Sequence, residues 1–213
     1  DNMDNVWIGG NGGADSHVLK FTRAGEFLLQ VGEHDHEGPD SLSETRYSQV
    51  AKVRFDASAN EVYIADGYGN KRVAVVDADT GELKRYWGAY GNVPSDDELP
   101  LYDLDNAPAH GAVSTDKSGT QQFRNPVHCA DPTNDGLVYA CDRPGNRVQV
   151  FEKDGTFVEE IYLQTKTLGA GAVWDIAFSR DPDQTFAYVA DGMNEKVHVL
   201  RRKPLEYIYS FGS

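Results

Sequence analysis

Tyr68, His128 and Arg143 are the side chains of this sequence whose types and positions point to chemistry. An imidazole ligates a metal or exchanges a proton near neutral pH, a phenol gives or takes a hydrogen bond, and a guanidinium holds a carboxylate. None of the three sits in a self-contained catalytic motif, and no Gly-x-Ser-x-Gly, P-loop or dinucleotide fingerprint occurs in the chain. What unites them is placement. Tyr68 and Arg143 each follow an Asp that ends a hydrophobic run, Asp66 and Asp142, and His128 follows Pro126-Val127 at the start of another run. Each also has a plain structural reading. His128 can be a satisfied inner histidine, Tyr68 a turn aromatic packed on a rim, and Arg143 a partner of Asp142 or Asp66 that staples neighbouring units.

The elements that must position them repeat. Val62-Tyr-Ile-Ala-Asp-Gly-Tyr-Gly-Asn-Lys-Arg-Val73, Val138-Tyr-Ala-Cys-Asp-Arg-Pro-Gly-Asn-Arg-Val148 and Ala187-Tyr-Val-Ala-Asp-Gly-Met-Asn-Glu-Lys-Val197 share one grammar. A hydrophobic strand ends in Asp, a Gly/Asn turn follows, and a second strand opens with a basic residue and Val. Asp66, Asp142 and Asp191 recur too regularly for catalysis and are expected to hold the turns through backbone N–H groups. Arg72, Arg147 and Lys196 belong to the same grammar. Around the first copy the pattern predicts four antiparallel strands within 47–88, which is one propeller blade. Further blades are expected at 123–163 and 173–212, with the last three strands of another at 1–32. The fold class is therefore an all-β propeller of four-stranded antiparallel blades, with Gln49–Phe55, Val127–Asp131 and Asp175–Phe178 innermost. Tyr68, His128 and Arg143 then converge at one mouth of the central channel.

Two irregularities stand out. Residues 91–121, rich in Pro, Asp, Gly and Ser, carry no strand pattern and predict a long loop over the channel end that bears Tyr68 and Arg143. Closed propellers have about four to eight blades. The sequence is accordingly expected to be a piece of a longer protein, with unpaired blade edges open to association.

With these residues in view, the repeats look like NHL repeats. Asp66-Gly-Tyr-Gly-Asn-Lys-Arg72, Pro126-Val-His128 and Asp142-Arg-Pro-Gly-Asn-Arg-Val-Gln-Val-Phe151 resemble the lyase domain of the peptide-amidating enzymes, peptidyl-α-hydroxyglycine α-amidating lyase. The resemblance covers about four of six blades. It implies a six-bladed propeller that cleaves a C–N bond to release a peptide amide and glyoxylate, with a zinc held by histidines from alternate blades. On that resemblance His128 is a zinc ligand, Tyr68 the base that takes the substrate hydroxyl proton, and Arg143 a partner for carboxylate or developing negative charge. Val173-Trp174-Asp175 offers no histidine, so the other two ligands are expected before residue 1 and after residue 213. In the free site, His128 is expected to aim an unbonded ring nitrogen at the channel axis. The resemblance also points to a secreted or periplasmic setting.

Composition narrows the rivals. The 213 residues include 34 acidic against 20 basic side chains, a net charge of −14 that repels a phosphate backbone and argues against nucleic acid. No apolar run approaches the roughly 20 residues needed to span a bilayer, so no membrane partner is expected. With 39% hydrophobic residues, three Trp, eleven Tyr and nine Phe, a sizeable core is within reach. If Pro132 pairs with Val138, Cys129 faces Cys141 across one hairpin, as two buried thiols or as a disulfide. His34-Asp35-His36 has metal-like spacing in a Gly/Pro loop, and Asp77-Ala-Asp-Thr-Gly-Glu82 is similar to a calcium loop but reads as a hairpin turn. Two functions of different class remain. One is a zinc-dependent lyase-like enzyme acting on a small-molecule or peptide substrate. The other is a non-catalytic propeller that binds a protein or small ligand at its channel face. Nothing specific supports a propeller hydrolase or lactonase.

Overall fold

The computed structural model describes residues 1–34 and 38–213. The chain folds into four antiparallel sheets that follow one another in sequence order. The first holds β1 (Val6–Gly9), β2 (His17–Phe21) and β3 (Phe27–Gly32). The second is β4 (Lys52–Asp56), β5 (Glu61–Asp66), β6 (Arg72–Asp77) and β7 (Leu83–Trp87). A two-residue strand, β8 (Val113–Ser114), precedes the third, which continues with β9 (Val127–Pro132), β10 (Leu137–Asp142), β11 (Arg147–Glu152) and β12 (Phe157–Tyr162). The fourth is β13 (Asp175–Phe178), β14 (Phe186–Asp191), β15 (Lys196–Arg202) and β16 (Leu205–Gly212).

The unbroken apolar runs of β5, β6 and β10 have a simple cause. Side chains alternate across a strand, and here both faces are covered. Val62 and Ile64 pack towards the first sheet with Val18, Val31 and Tyr47, whereas Tyr63 and Ala65 pack towards the third with Phe123, Val127 and Phe151. In β10, Val138 and Ala140 join that second layer, while Tyr139 and Cys141 join a third with Val173, Ile176 and Leu200. Three apolar layers between four sheets are the packing of propeller blades. Each buried Val, Leu, Ile or Phe contributes about 1.5–3 kcal/mol.

The repeated Asp residues tie each blade to itself. Asp66 accepts the Ser48 N–H at 2.8 Å, from the segment that leads into β4, and Asp142 accepts the Arg124 N–H at 3.0 Å, ahead of β9. The repeat also hides a salt bridge: Arg72 Nε lies 2.8 Å from Asp66 and Arg147 Nε 2.8 Å from Asp142, all buried. In the fourth blade the pattern changes, because His198 and not Lys196 bonds the Asp191 carboxylate, at 2.9 Å. Asp191 and Lys196 are opposite in the ladder, and the partner comes from the next residue but one on the same strand.

The expectation for residues 91–121 is corrected. Val113 pairs with Ile161 and Ser114 with Glu160, so β8 adds a fifth, outermost strand to the third blade, away from the channel. The outer edge of β12 offers unpaired N–H and C=O groups, and β8 satisfies them. Asp96 and Glu98 of this stretch line one cavity with Tyr68; Asp96 accepts bonds from Ser41, and Lys71 Nζ donates to the Asp97 carbonyl at 2.6 Å.

Candidate functional site

Tyr68 stands in the β5–β6 turn between two glycines that have no room for a side chain. A Cβ on Gly67 would lie 1.9 Å from the Val127 carbonyl oxygen, and one on Gly69 would lie 1.9 Å from Ser48 Oγ. The loop is thus pressed onto the start of β9 and onto the entry to β4. Asn125 clamps it from the other side, donating to the carbonyls of Gly67 at 3.1 Å and Asn70 at 2.9 Å. Arg143 occupies the corresponding β10–β11 turn, its N–H donating to Pro126 O at 3.3 Å. His128 is the second residue of β9, one step from the Val127 backbone that Gly67 touches.

The three side chains meet. The Tyr68 hydroxyl lies 3.0 Å from His128 Nε2, and Arg143 Nη1 donates to the same hydroxyl at 3.0 Å. His128 Nδ1 bonds to the Trp174 carbonyl. A carbonyl only accepts, so Nδ1 carries the proton and Nε2 presents its lone pair. The chain of donors runs from Arg143 to Tyr68 to His128 to Trp174. Burial holds the His128 imidazole below its ordinary range; the Trp174 carbonyl opposes this, and the Arg143 charge adds to it. His128 is therefore a neutral base at neutral pH.

The free ring nitrogen expected of His128 is not observed, since both nitrogens have protein partners. Arg143 differs from its plain structural reading as well. Asp66 and Asp142 belong to Arg72 and Arg147, and among the described residues Arg143 has no carboxylate partner. Its guanidinium lies instead between two rings, 5.4 Å from the centroid of Tyr68 and 5.0 Å from that of Trp174. Trp174, which the sequence marks only as a position without a ligand, is a site residue twice over: its carbonyl orients His128 and its indole seats Arg143. A cavity of about 430 Å³, lined by Tyr68, Gln49, Lys71, Glu98 and Asn125, opens beside this constellation.

Deeper along the inner strands lies a charged layer that sequence reasoning missed. Lys52 Nζ is 2.8 Å from Asp131 and also pairs with Asp175, while Arg54 Nε is 2.7 Å from Asp131. Charged residues on three innermost strands were the available signal. Among the described residues, Cys129, Asp131 and Asp175 bring metal-type ligand atoms within 4.8 Å of one another. Their arrangement does not suit zinc or calcium, because Cys129 is joined to Cys141 in a disulfide and the Lys52 ammonium already supplies the cation. The disulfide settles the two alternatives for this pair: Cys129 and Cys141 are directly opposite, with Val138 against Pro132 in the same register. Asp77 accepts the N–H groups of Asp79 at 2.9 Å and Thr80 at 3.0 Å, which is a hairpin turn. Of His34-Asp35-His36, Asp35 and His36 lie outside the described residues. Among the described residues, no helix is long and apolar enough to cross a membrane.

No protein family and no curated protein matches this sequence. Its likeness is to solved structures. Streptogramin B lyase superposes with a TM-score of 0.57 at 12% identity, covering 100% of this chain and 52% of that one. A putative 6-phosphogluconolactonase from Bacteroides uniformis gives 0.56 at 17%, covering 100% and 55%. The fold is a β-propeller. Hydrazine synthase of Kuenenia stuttgartiensis also matches, with a TM-score of 0.51 at 17% identity over 78% of this chain and 37% of that one. The propeller chain thus spans little more than half the length of these neighbours, or less, and at such identities the likeness concerns the fold alone.

Proposed function

We propose that this propeller carries an acid–base site of lyase type at its channel mouth, centred on Tyr68. One observation supports it above the rest: a single hydroxyl, that of Tyr68, is held between a neutral imidazole acceptor and an unpaired guanidinium, each at 3.0 Å. Arg143 Nη1 donates to the Tyr68 oxygen, and His128 Nε2 can receive the phenol proton. A substrate hydroxyl brought against Tyr68 gives its proton to that oxygen as the phenol proton moves to His128. The O–H electron pair becomes a carbonyl, the adjacent C–N bond breaks, and the nitrogen leaves with the proton returned from His128. On a hydroxyglycine-type substrate the products are an amide and glyoxylate, and Arg143 meets the carboxylate. Zinc and calcium stay outside this reading, because His128, the imidazole at this mouth, is bonded at both ring nitrogens, to the Tyr68 hydroxyl and the Trp174 carbonyl. None of these steps is routed through a metal.

A second reading, a non-catalytic propeller that binds a protein or small ligand, draws on that same saturation of His128. In it Tyr68, His128, Arg143 and Trp174 staple three successive blades. Release of amide and glyoxylate from a peptide ending in α-hydroxyglycine separates the two. The chain should turn it over, and Tyr68→Phe should lower kcat by about 100-fold or more while leaving the fold intact. A folded chain that gives no product, with Tyr68→Phe changing stability alone, refutes the lyase reading.

A further inference from the structure

A second cavity lies between the long connection and the third blade, with Arg124 in its wall. It measures about 520 Å³, within the roughly 300–1,000 Å³ of small-molecule sites. Arg124 brings to it a guanidinium without a direct partner, whose charge acts on Asp142 only through space. Its backbone N–H is bonded to Asp142, but its guanidinium has no hydrogen bond or ion pair with protein among the described residues, and Nε is buried without a partner. The guanidinium stacks 5.5 Å from the centre of the Tyr102 ring, and the Tyr102 hydroxyl is likewise buried without a partner. The carboxylates of the walls are occupied elsewhere. Asp142 pairs with Arg147, Asp103 caps the Asp105 and Asn106 N–H groups, and Asp116 bonds Ser114 and Ser118. The apolar part of the wall is Pro108, Ala112 and Leu101, the last 94% exposed, and Asn106, Ser118 and Thr120 add polar groups beside it.

We infer that this cavity binds a small monocarboxylate with an apolar body, its carboxylate forked onto the Arg124 guanidinium and its body against Tyr102 and Leu101. A guanidinium matches a carboxylate or a phosphate equally well in shape. The charge of the walls decides between them, since Asp103, Asp116 and Asp142 repel a dianion more than a singly charged carboxylate. The site is independent of Tyr68 and of the proposed lyase chemistry.

Calorimetric titration of the chain with N-acetyl-leucine at neutral pH tests the inference, with N-acetyl-leucinamide and inorganic phosphate as comparators. The carboxylate should bind saturably, and the amide and phosphate each at least about tenfold more weakly. Arg124→Gln should weaken the carboxylate about 10- to 100-fold, and Tyr68→Phe should leave its binding unchanged. Absence of carboxylate binding, equal binding of the amide, phosphate binding as tightly as the carboxylate, or an unaltered affinity in Arg124→Gln each overturns the proposal. Loss of binding in Tyr68→Phe places the ligand in the channel and overturns it too. If Arg124→Gln does not fold, the comparison of acid, amide and phosphate on the unaltered chain decides.

Discussion

Gly67 sits so near the Val127 carbonyl that a methyl group on its α-carbon would lie 1.9 Å from that oxygen. The three atoms it would meet, O, N and C of Val127, are all backbone, so none can rotate out of the way. The contact carries the Tyr68 loop of one blade onto the strand that holds His128 in the next. Gly67→Ala must therefore lift the loop from β9, and overpacking of this kind costs about 1–3 kcal/mol. Urea denaturation should show that loss, and the Tyr68–His128 bond should go with it. A variant as stable as the parent would mean that the loop accommodates the methyl group elsewhere.

Arg147 and Asp142 predict a larger effect. The pair is buried at 2.8 Å, and Arg147 also donates to Tyr90, Glu160 and the Thr120 carbonyl. Removing one partner strands the other charge in the core, at about 3–5 kcal/mol. Arg147→Met should lower the denaturation midpoint accordingly. Replacing Asp142 and Arg147 together by apolar residues should cost less than the sum of the two single changes. Additive losses would show that the two are not energetically coupled.

The blades were legible because both faces of the central strands are buried, so that the repeat is written in every hairpin. The same repetition put Tyr68 and Arg143 in corresponding turns, and the register of one hairpin, Val138 against Pro132, put Cys129 opposite Cys141. The remainder of the site lay beyond the reach of side-chain pattern. Trp174 acts partly through its carbonyl, which every residue possesses, and so no residue type announces the bond to His128. β8 is two residues long and shows no period. The basic residue of the repeat is opposite the Asp in each ladder, yet in the fourth blade a histidine two positions on reaches the carboxylate. Lys52, Asp131 and Asp175 lie far apart in sequence and meet only because inner strands of successive blades are neighbours around the axis.

The Cys129–Cys141 link closes a short loop, with a sequence separation of 12. Loop-closure entropy for that length corresponds to about 3 kcal/mol. The double variant Cys129→Ala and Cys141→Ala should lose stability of that order while keeping the blade, whose ladder continues on both sides of the pair. Guanidinium denaturation of the oxidised chain against the double variant measures it. No difference in midpoint would show that the link adds nothing beyond the hairpin.

Acid should weaken the fold through two histidines. His128 and His110 both titrate below the ordinary 6.5 in the folded chain. For His128 burial is the main cause, with Arg143 and Lys52 on the same side and the Trp174 bond and Asp175 opposing them. For His110 burial again leads, joined by His198 and Lys196 against Asp191. In the unfolded chain both take up protons as the pH falls through about 6.5; in the folded chain they resist until lower pH. The unfolded state then holds more protons, so stability drops as the pH falls below 6.5, and these residues add no slope above it. Glu61, held at about 2 by Arg85, acts in a separate window, because its contribution is present above 4.5 and is lost as the pH falls towards 2. Urea midpoints measured from pH 7.5 to 5 should therefore decline, and His128→Gln and His110→Gln should each flatten part of that decline. An unchanged slope in both variants would assign the acid sensitivity to other groups and remove the argument that His128 is held neutral.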